Sequence, residues 1–209
     1  MKILKQSIII SVVMLILCGL LFPLAMTGIS QLVFNKQANG SMIEVKGKKV
    51  GSELIGQSFT DARFFRGRVS AVNYNTYTEE DKKPDKDGKV NYAGVVSGSQ
   101  NLAPSSEVLK ERVAKDIDEF LKANPTVKKE DIPGDLLTSS GSGLDPHISL
   151  DSAKVQMASV SKASGIGMEE LNSMIEKAKD GRDIGVFGEE RVNVLKLNLQ
   201  IANKLGLLN

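Results

Sequence analysis

Between Lys5 and Lys36 the chain carries no charged residue, a gap of thirty positions. From Ile8 to Phe22, twelve of fifteen residues are Ile, Val, Leu, Met or Phe. Each central aliphatic residue favours insertion by roughly 0.3–0.6 kcal/mol, so the segment as a whole favours a bilayer by several kcal/mol. A membrane span needs about 20 residues, and residues 7–34 supply them. Pro23 lies in the outer part of this span, where its missing N–H predicts a kink or the end of the helix. A cleaved signal peptide is the competing reading, although its apolar region would run only about 7–15 residues. The small-residue pairs Ala25/Thr27 and Gly28/Ser30 offer it a cleavage site. Lipoprotein processing at Cys18 is disfavoured because Leu17 stands where a small residue is required. Cys18 is read instead as a thiol facing lipid or a neighbouring helix.

The flanks set the expected orientation. Residues 1–6 form a short basic N-terminus (Lys2, Lys5) assigned to the cytoplasm, and long following domains translocate largely regardless of charge. Residues 35–42 read as a polar linker, and 43–209 as one soluble domain outside the cell membrane. Lys36, Lys46, Lys48 and Lys49 weaken the charge asymmetry behind this assignment.

Setting aside Lys2 and Lys5, 25 Lys and Arg face 25 Asp and Glu in the remainder of the chain. A formally neutral domain with three Tyr and no Trp offers neither the basic stripe nor the stacking platform of a nucleic-acid binder. One Cys and one His exclude a disulfide within the chain and a Cys/His zinc site. No metal site is expected, since no carboxylates near His147 have ligand spacing.

Within the soluble part, Ile43-Glu44-Val45 and Val50 to Ile55 alternate around Gly47-Lys48-Lys49 and predict a β-hairpin. Phe59, Phe64 and Phe65 follow beside Arg63, Arg66 and Arg68, which predicts a core edge with Arg stems over aromatic rings. Residues 78–89 hold nine charges in twelve positions and read as an exposed loop. After Pro104, with Ser105 or Ser106 as cap, Leu109, Val113, Ile117, Phe120 and Leu121 mark one helix face, ended by Asn124-Pro125. A second helix is predicted over Asp151–Ala163, capped by Ser149, with Ala153, Met157 and Val160 inward. A third spans Met168–Lys179 with Leu171, Ile175 and Ala178 inward. Val192 to Leu205 fits both periods: Leu195, Leu197, Leu199 and Ile201 alternate, while Leu195, Leu199, Ala202 and Leu205 recur helically. Its length favours helix. Short strands first and helices later predict an α+β domain.

Three Gly/Ser segments are candidate sites. Val96-Ser97-Gly98-Ser99-Gln100-Asn101 precedes a helix, and its amides could hold phosphate or form a simple turn. No Gly-Lys-Ser/Thr phosphate loop accompanies it, which argues against an independent nucleotide hydrolase. Thr138 to Ser149, with Ser140-Gly141-Ser142-Gly143-Leu144-Asp145-Pro146-His147 within it, joins small hydroxyls to the single His and to an Asp. Ser142 lacks the glycine spacing of a nucleophile elbow, and Asp145 is too near His147 in sequence to orient its ring. A rigid loop that caps the next helix and faces a partner is the preferred reading. In Gly185 to Asn193, Glu189 or Glu190 would pair with Arg191, locally or across an interface, and such exposed pairs stabilise little.

These blocks, in this order behind one span, resemble the C subunit (KdpC) family of Kdp-type potassium-transporting ATPases. The resemblance is carried by Leu54-Ile55-Gly56-Gln57, Phe64-Phe65 with Arg68-Val69-Ser70-Ala71, Ser97 to Ser105, Ser140 to Ser149, and Gly188 to Leu199. Small departures stand at Val69, Ala103 and Glu190, where the family pattern has Pro, Gly and Pro. The resemblance implies a non-catalytic subunit of a high-affinity potassium-uptake complex, with no cofactor of its own. Its partners would be a P-type ATPase catalytic subunit, a channel-like potassium-binding subunit and a small single-span subunit, in the lipid bilayer. It further implies a catalytic chaperone that raises the pump's ATP affinity. Ser97, Gly98, Ser99 and Gln100, which look like the leucine-serine-glycine-glycine-glutamine loop of ABC-type ATPases, would carry that role. Ser140, Gly141, Ser142, Gly143, Asp145, His147, Arg191 and Asn193 are the candidates for partner contact. The topology conflicts with direct ATP contact, because ATP is cytoplasmic and the domain is placed outside. The alternative is an outer domain that stabilises assembly near the potassium entrance, coupled to the nucleotide only through the membrane subunits. An anchored hydrolase using His147, and a free-standing scaffold domain, are the readings from other classes.

Overall fold

The computed structural model describes residues 1–90, 94–182 and 184–208. The chain divides into two compact units, Met1–Ser52 and Glu53–Asn209.

The first unit opens with α1 (Lys2–Ile16), a π turn (Leu17–Leu21) and α2 (Phe22–Val33), together one helix of 32 residues that contains an 18-residue stretch of mean hydropathy 2.9. Among the described residues it is the one helix long and apolar enough to cross a membrane. Pro23 does not end it. The N–H of Phe22 reaches back five residues to the Leu17 carbonyl, and this wide turn absorbs the proline, which can neither donate to nor tolerate the carbonyl four residues before it. The helix stops where the side chains turn polar. Gln31 Oε1 accepts from Asn35 Nδ2 at 3.0 Å and from Asn39 Nδ2 at 3.1 Å. Part of the expected polar linker is helical, as α3 (Asn35–Ala38).

The predicted hairpin is present as β1 (Met42–Val45) and antiparallel β2 (Lys48–Ser52). Its turn sits at Lys46-Gly47 rather than Gly47-Lys48-Lys49, and Leu54 and Ile55 lie beyond the strand. Both turn residues have positive φ, +49° and +76°, as the type I′ turn of a tight hairpin demands. That geometry puts Lys48 and Lys49 into the strand.

The second unit is built around a three-stranded antiparallel sheet of order β3-β5-β4, made of β3 (His147–Ile148), β5 (Arg191–Asn193) and β4 (Lys179–Asp180). Helices α5 (Leu150–Ser164), α6 (Met168–Ala178) and α7 (Val194–Lys204) pack on it, with α4 (Glu107–Ala123) contributing Phe120. Helices and small sheets behind a single apolar helix make this an α+β protein, as the sequence implies.

α5 and α6 follow their sequence signals closely. Ser149 caps α5 by accepting from the Ser152 N–H, and Gly165 (φ +75°) closes it in the left-handed conformation that favours glycine. Ala153, Met157, Val160, Leu171, Ile175 and Ala178 are all buried. α4 is less regular: Ser106 occupies the cap position without a side-chain cap bond, and of the predicted face only Phe120 is buried. The 192–205 ambiguity resolves as both structures in series. β5 runs straight into α7, and the Val194 N–H donates to the Pro146 carbonyl at 2.9 Å. This connection fixes the rotation of α7, so Val194, Leu197, Asn198 and Ile201 form its buried stripe while Leu199 is only half-buried.

Phe65 is fully buried, and its backbone N–H and C=O both bond to the buried amide of Asn198, at 2.9 Å each. Arg63 lies over the Phe64 ring, 5.9 Å from its centroid, matching the expected packing of Arg on aromatics. Residues 78–89 are almost wholly exposed.

Candidate functional site

Two of the three Gly/Ser segments fold against each other. Gly98 N–H donates to the Ser142 carbonyl at 2.8 Å, and the Ser97 hydroxyl donates to the same oxygen at 3.1 Å. The Ser99 and Ser139 hydroxyls lie 3.4 Å apart. Gly143 makes this approach possible: at φ +67°, an added Cβ would stand 2.7 Å from the Gly98 carbonyl oxygen. Ser70 donates its hydroxyl to the Gly143 carbonyl at 2.6 Å and accepts from the Tyr74 N–H. Gly56 N–H donates to the Leu144 carbonyl, where a Cβ on Gly56 would meet the Asp145 carbonyl oxygen at 2.5 Å. Asn75 completes the seam, donating to the Val96 carbonyl and accepting its N–H.

Within the second loop Ser140 and Ser142 are used internally. Ser140 Oγ accepts from the Gly143 N–H at 2.9 Å, and Ser142 Oγ accepts from the Leu144 N–H at 3.1 Å. Ser140 and Gly143 are buried, whereas Gly141 and Ser142 are exposed.

A chain of charges runs from this loop across the sheet. Arg68 pairs with Asp145 at 3.0 Å, both partly buried. Asp145 accepts from the His147 N–H at 2.9 Å and faces ring Nδ1 at 3.5 Å. His147 Nε2 meets Asp180 Oδ2 at 3.1 Å. Lys196 then bridges Asp180 at 3.6 Å and Glu53 at 3.3 Å. Burial pushes the Asp145 carboxyl up, but the His147 ring and amide, with the Arg68 guanidinium, outweigh it and hold the group below the usual carboxylate range. Burial, with the Asp145 charge beside it, pushes the neighbouring Tyr74 phenol up to about 12. The phenol donates to the Arg68 carbonyl at 2.8 Å.

Asp145, two residues away, stands 3.5 Å from ring Nδ1, while the side chain hydrogen-bonded to the imidazole is Asp180, which sequence reasoning missed. The antiparallel sheet pairs His147 with Asn193 and Asp180 with Arg191, so β5 sets the two side chains on either side of itself. Carboxylates stand at both ring nitrogens, and among the described residues no hydrogen bond joins the imidazole to a serine hydroxyl of the kind that nucleophilic catalysis requires. Among the described residues no group of three His, Cys, Asp or Glu is arranged to hold a metal ion.

In the third segment Asn193 is buried, and its amide both caps α7, accepting from the Lys196 N–H, and donates to the Glu53 carbonyl at 2.8 Å. Glu190 pairs with Lys179 at 3.7 Å, not with Arg191. The loop before it exposes Ile184, Val186 and Phe187. Asp135, absent from the sequence-based set, accepts from the Ser149 N–H and from the Ser149 and Ser152 hydroxyls, buttressing the α5 cap. Its setting in a Pro-Gly-Asp turn gave no signal beyond a loop.

Known proteins match the chain along its length. A family model described as KdpC, K+-transporting ATPase, c chain, matches residues 4–203. A protein of Clostridioides difficile strain 630, named potassium-transporting ATPase KdpC subunit, is 60% identical over 208 residues, covering 100% of both chains. Proteins of the same name from Clostridium kluyveri and Caldanaerobacter subterraneus are 57% and 46% identical, with 95–98% of each chain covered.

Proposed function

The chain belongs to the KdpC family, and from that premise we propose that it serves as the non-catalytic, membrane-anchored subunit of an ATP-driven potassium-uptake complex. The observation that carries this reading is the whole-length match, which takes in the apolar helix, the interlocked loops and the β5–α7 segment alike. Its partners are a P-type ATPase subunit, a channel-like potassium-binding subunit and a small single-span subunit, reached through the bilayer and through the outer domain.

In this reading the domain stabilises the assembly from outside the cell. The loop network supports a rigid docking element, because Ser140, Gly143, Asp145 and Asn193 hold the fold from within. Contact with partners then falls to the surface beside them: Gly141, Ser142, and the exposed apolar loop with Val186 and Phe187. Large exposed apolar side chains of this kind mark interaction surfaces.

A second reading keeps ATP contact at Ser97–Gln100, as the family resemblance implies. The inward direction of the Gly98 N–H and Ser97 hydroxyl favours the first, since a phosphate cradle needs those donors outward. Protease accessibility of residues 78–89 separates the two. Cutting in intact cells or spheroplasts but not in inverted membranes is expected, and leaves only indirect coupling to the nucleotide. Cutting only in inverted membranes would overturn the outer placement and restore direct contact.

A further inference from the structure

One depression on the second unit lies away from the loop network. It encloses about 670 Å³ between α5 and the C-terminal end of α4, walled by residues 60–66 and open to solvent along one side. Phe64, Val160 and alanines, among them Ala62 and Ala158, make its surface largely apolar. Two of the polar side chains there are already engaged. Gln156 accepts from the Arg66 N–H and donates to the Arg66 and Ser152 carbonyls, and Asn124 donates to the Phe120 carbonyl.

What remains unmatched is charge. Arg66, Lys122 and Lys162 line the groove, and among the described residues none of the three side chains is ion-paired. The one lining carboxylate, Asp61, is bound by Arg63 through two oxygens and held down at about 2 by that guanidinium. Three cations without an ion pair thus border this apolar floor, with Asp116 and Glu119 lining the adjoining cleft on the other side of Arg66.

We propose that this groove is a docking site for an extended, acidic peptide segment of a partner subunit, with carboxylates at Arg66, Lys122 and Lys162 and small apolar side chains on the alanine floor. Charge complementarity of this kind steers association and fixes register. A lipid tail fits less well, because the open side would leave it in water. The inference rests on the reading that the chain works within a multi-subunit complex.

The test uses the assembled, membrane-reconstituted complex with a benzoylphenylalanine photo-crosslinker at the exposed Ala158. After illumination, the attached peptide is identified by mass spectrometry. Attachment to a partner-subunit segment with at least two Asp or Glu is expected. The double variant Lys122→Glu/Lys162→Glu should lower that yield about tenfold, equal to about 1.4 kcal/mol, with an unchanged thermal midpoint. Attachment to lipid, to a second copy of this chain or to nothing would overturn the proposal, as would a yield indifferent to the charge reversal. Copurification of the subunits is scored separately. Its retention without crosslinking sinks the groove alone, whereas its loss removes the complex and the groove together.

Discussion

The second unit holds two halves together by different physics. In the helical half, Leu171, Ile175, Leu197 and Ile201 have no solvent exposure, and each such side chain contributes about 1.5–3 kcal/mol by leaving water. In the loop half, residues 53–76, 94–102 and 138–147 contain almost no regular structure. They are joined by directed bonds such as Ser70 to Gly143, Gly98 to Ser142 and Arg68 to Asp145. Apolar burial is forgiving of shape, while backbone-to-backbone contact is not. The helical half should therefore feel lost volume most, and the loop half should feel a single added methyl.

Leu197→Ala is the harshest test of the first statement. It should cost about 2–5 kcal/mol, seen as a large drop in the thermal midpoint of the detergent-solubilised chain. A loss smaller than that of any loop variant would invert the comparison. Next comes Gly143→Ala, where the left-handed backbone and the close Gly98 carbonyl make one methyl cost about 1–3 kcal/mol. If it melts with the native chain, the loops are not packed at backbone distance. Ser70→Ala removes one hydroxyl bond and should cost about 0.5–1.5 kcal/mol, with faster amide exchange confined to the loop half.

The smallest effect concerns pH. Because the folded Asp145 carboxyl lies below its ordinary range, its ionised form stabilises the fold above the unfolded value. That contribution is lost as pH falls through the folded one, in the acid region below about pH 4. Asp145→Asn should flatten the acid limb of the stability curve there by less than about 1 kcal/mol, given its partial exposure. An acid limb as steep as the native one would assign the loss to other carboxylates.

The same division explains what could be read in advance. α5 and α6 announce themselves within a few residues of sequence, through the Ser149 cap and a 3.6-residue stripe. The apolar span was equally plain. The loop half was visible as two of the three Gly/Ser segments, but not the fact that these two meet, since Gly98 and Ser142 are separated by a helix and two turns. Asp180 and Lys196 gave no sign of belonging with His147, because strand pairing brings Asp180 to it and the first turn of α7, running straight on from β5, brings Lys196. Ser106 shows the converse: a strong local cap signal whose side chain makes no cap bond.

The π turn at Leu17–Leu21 has a consequence for how the apolar helix addresses its surroundings. One surplus residue in a turn is a phase slip of about 100°, so a stripe drawn along Lys2–Ile16 does not continue along Phe22–Val33. The two halves of the helix point their matching faces in different directions, like two gears keyed a tooth apart on one shaft. Deleting a single residue within Leu17–Leu21 would bring them back into step, and neighbours that grip both halves would then find one of their two grips turned away.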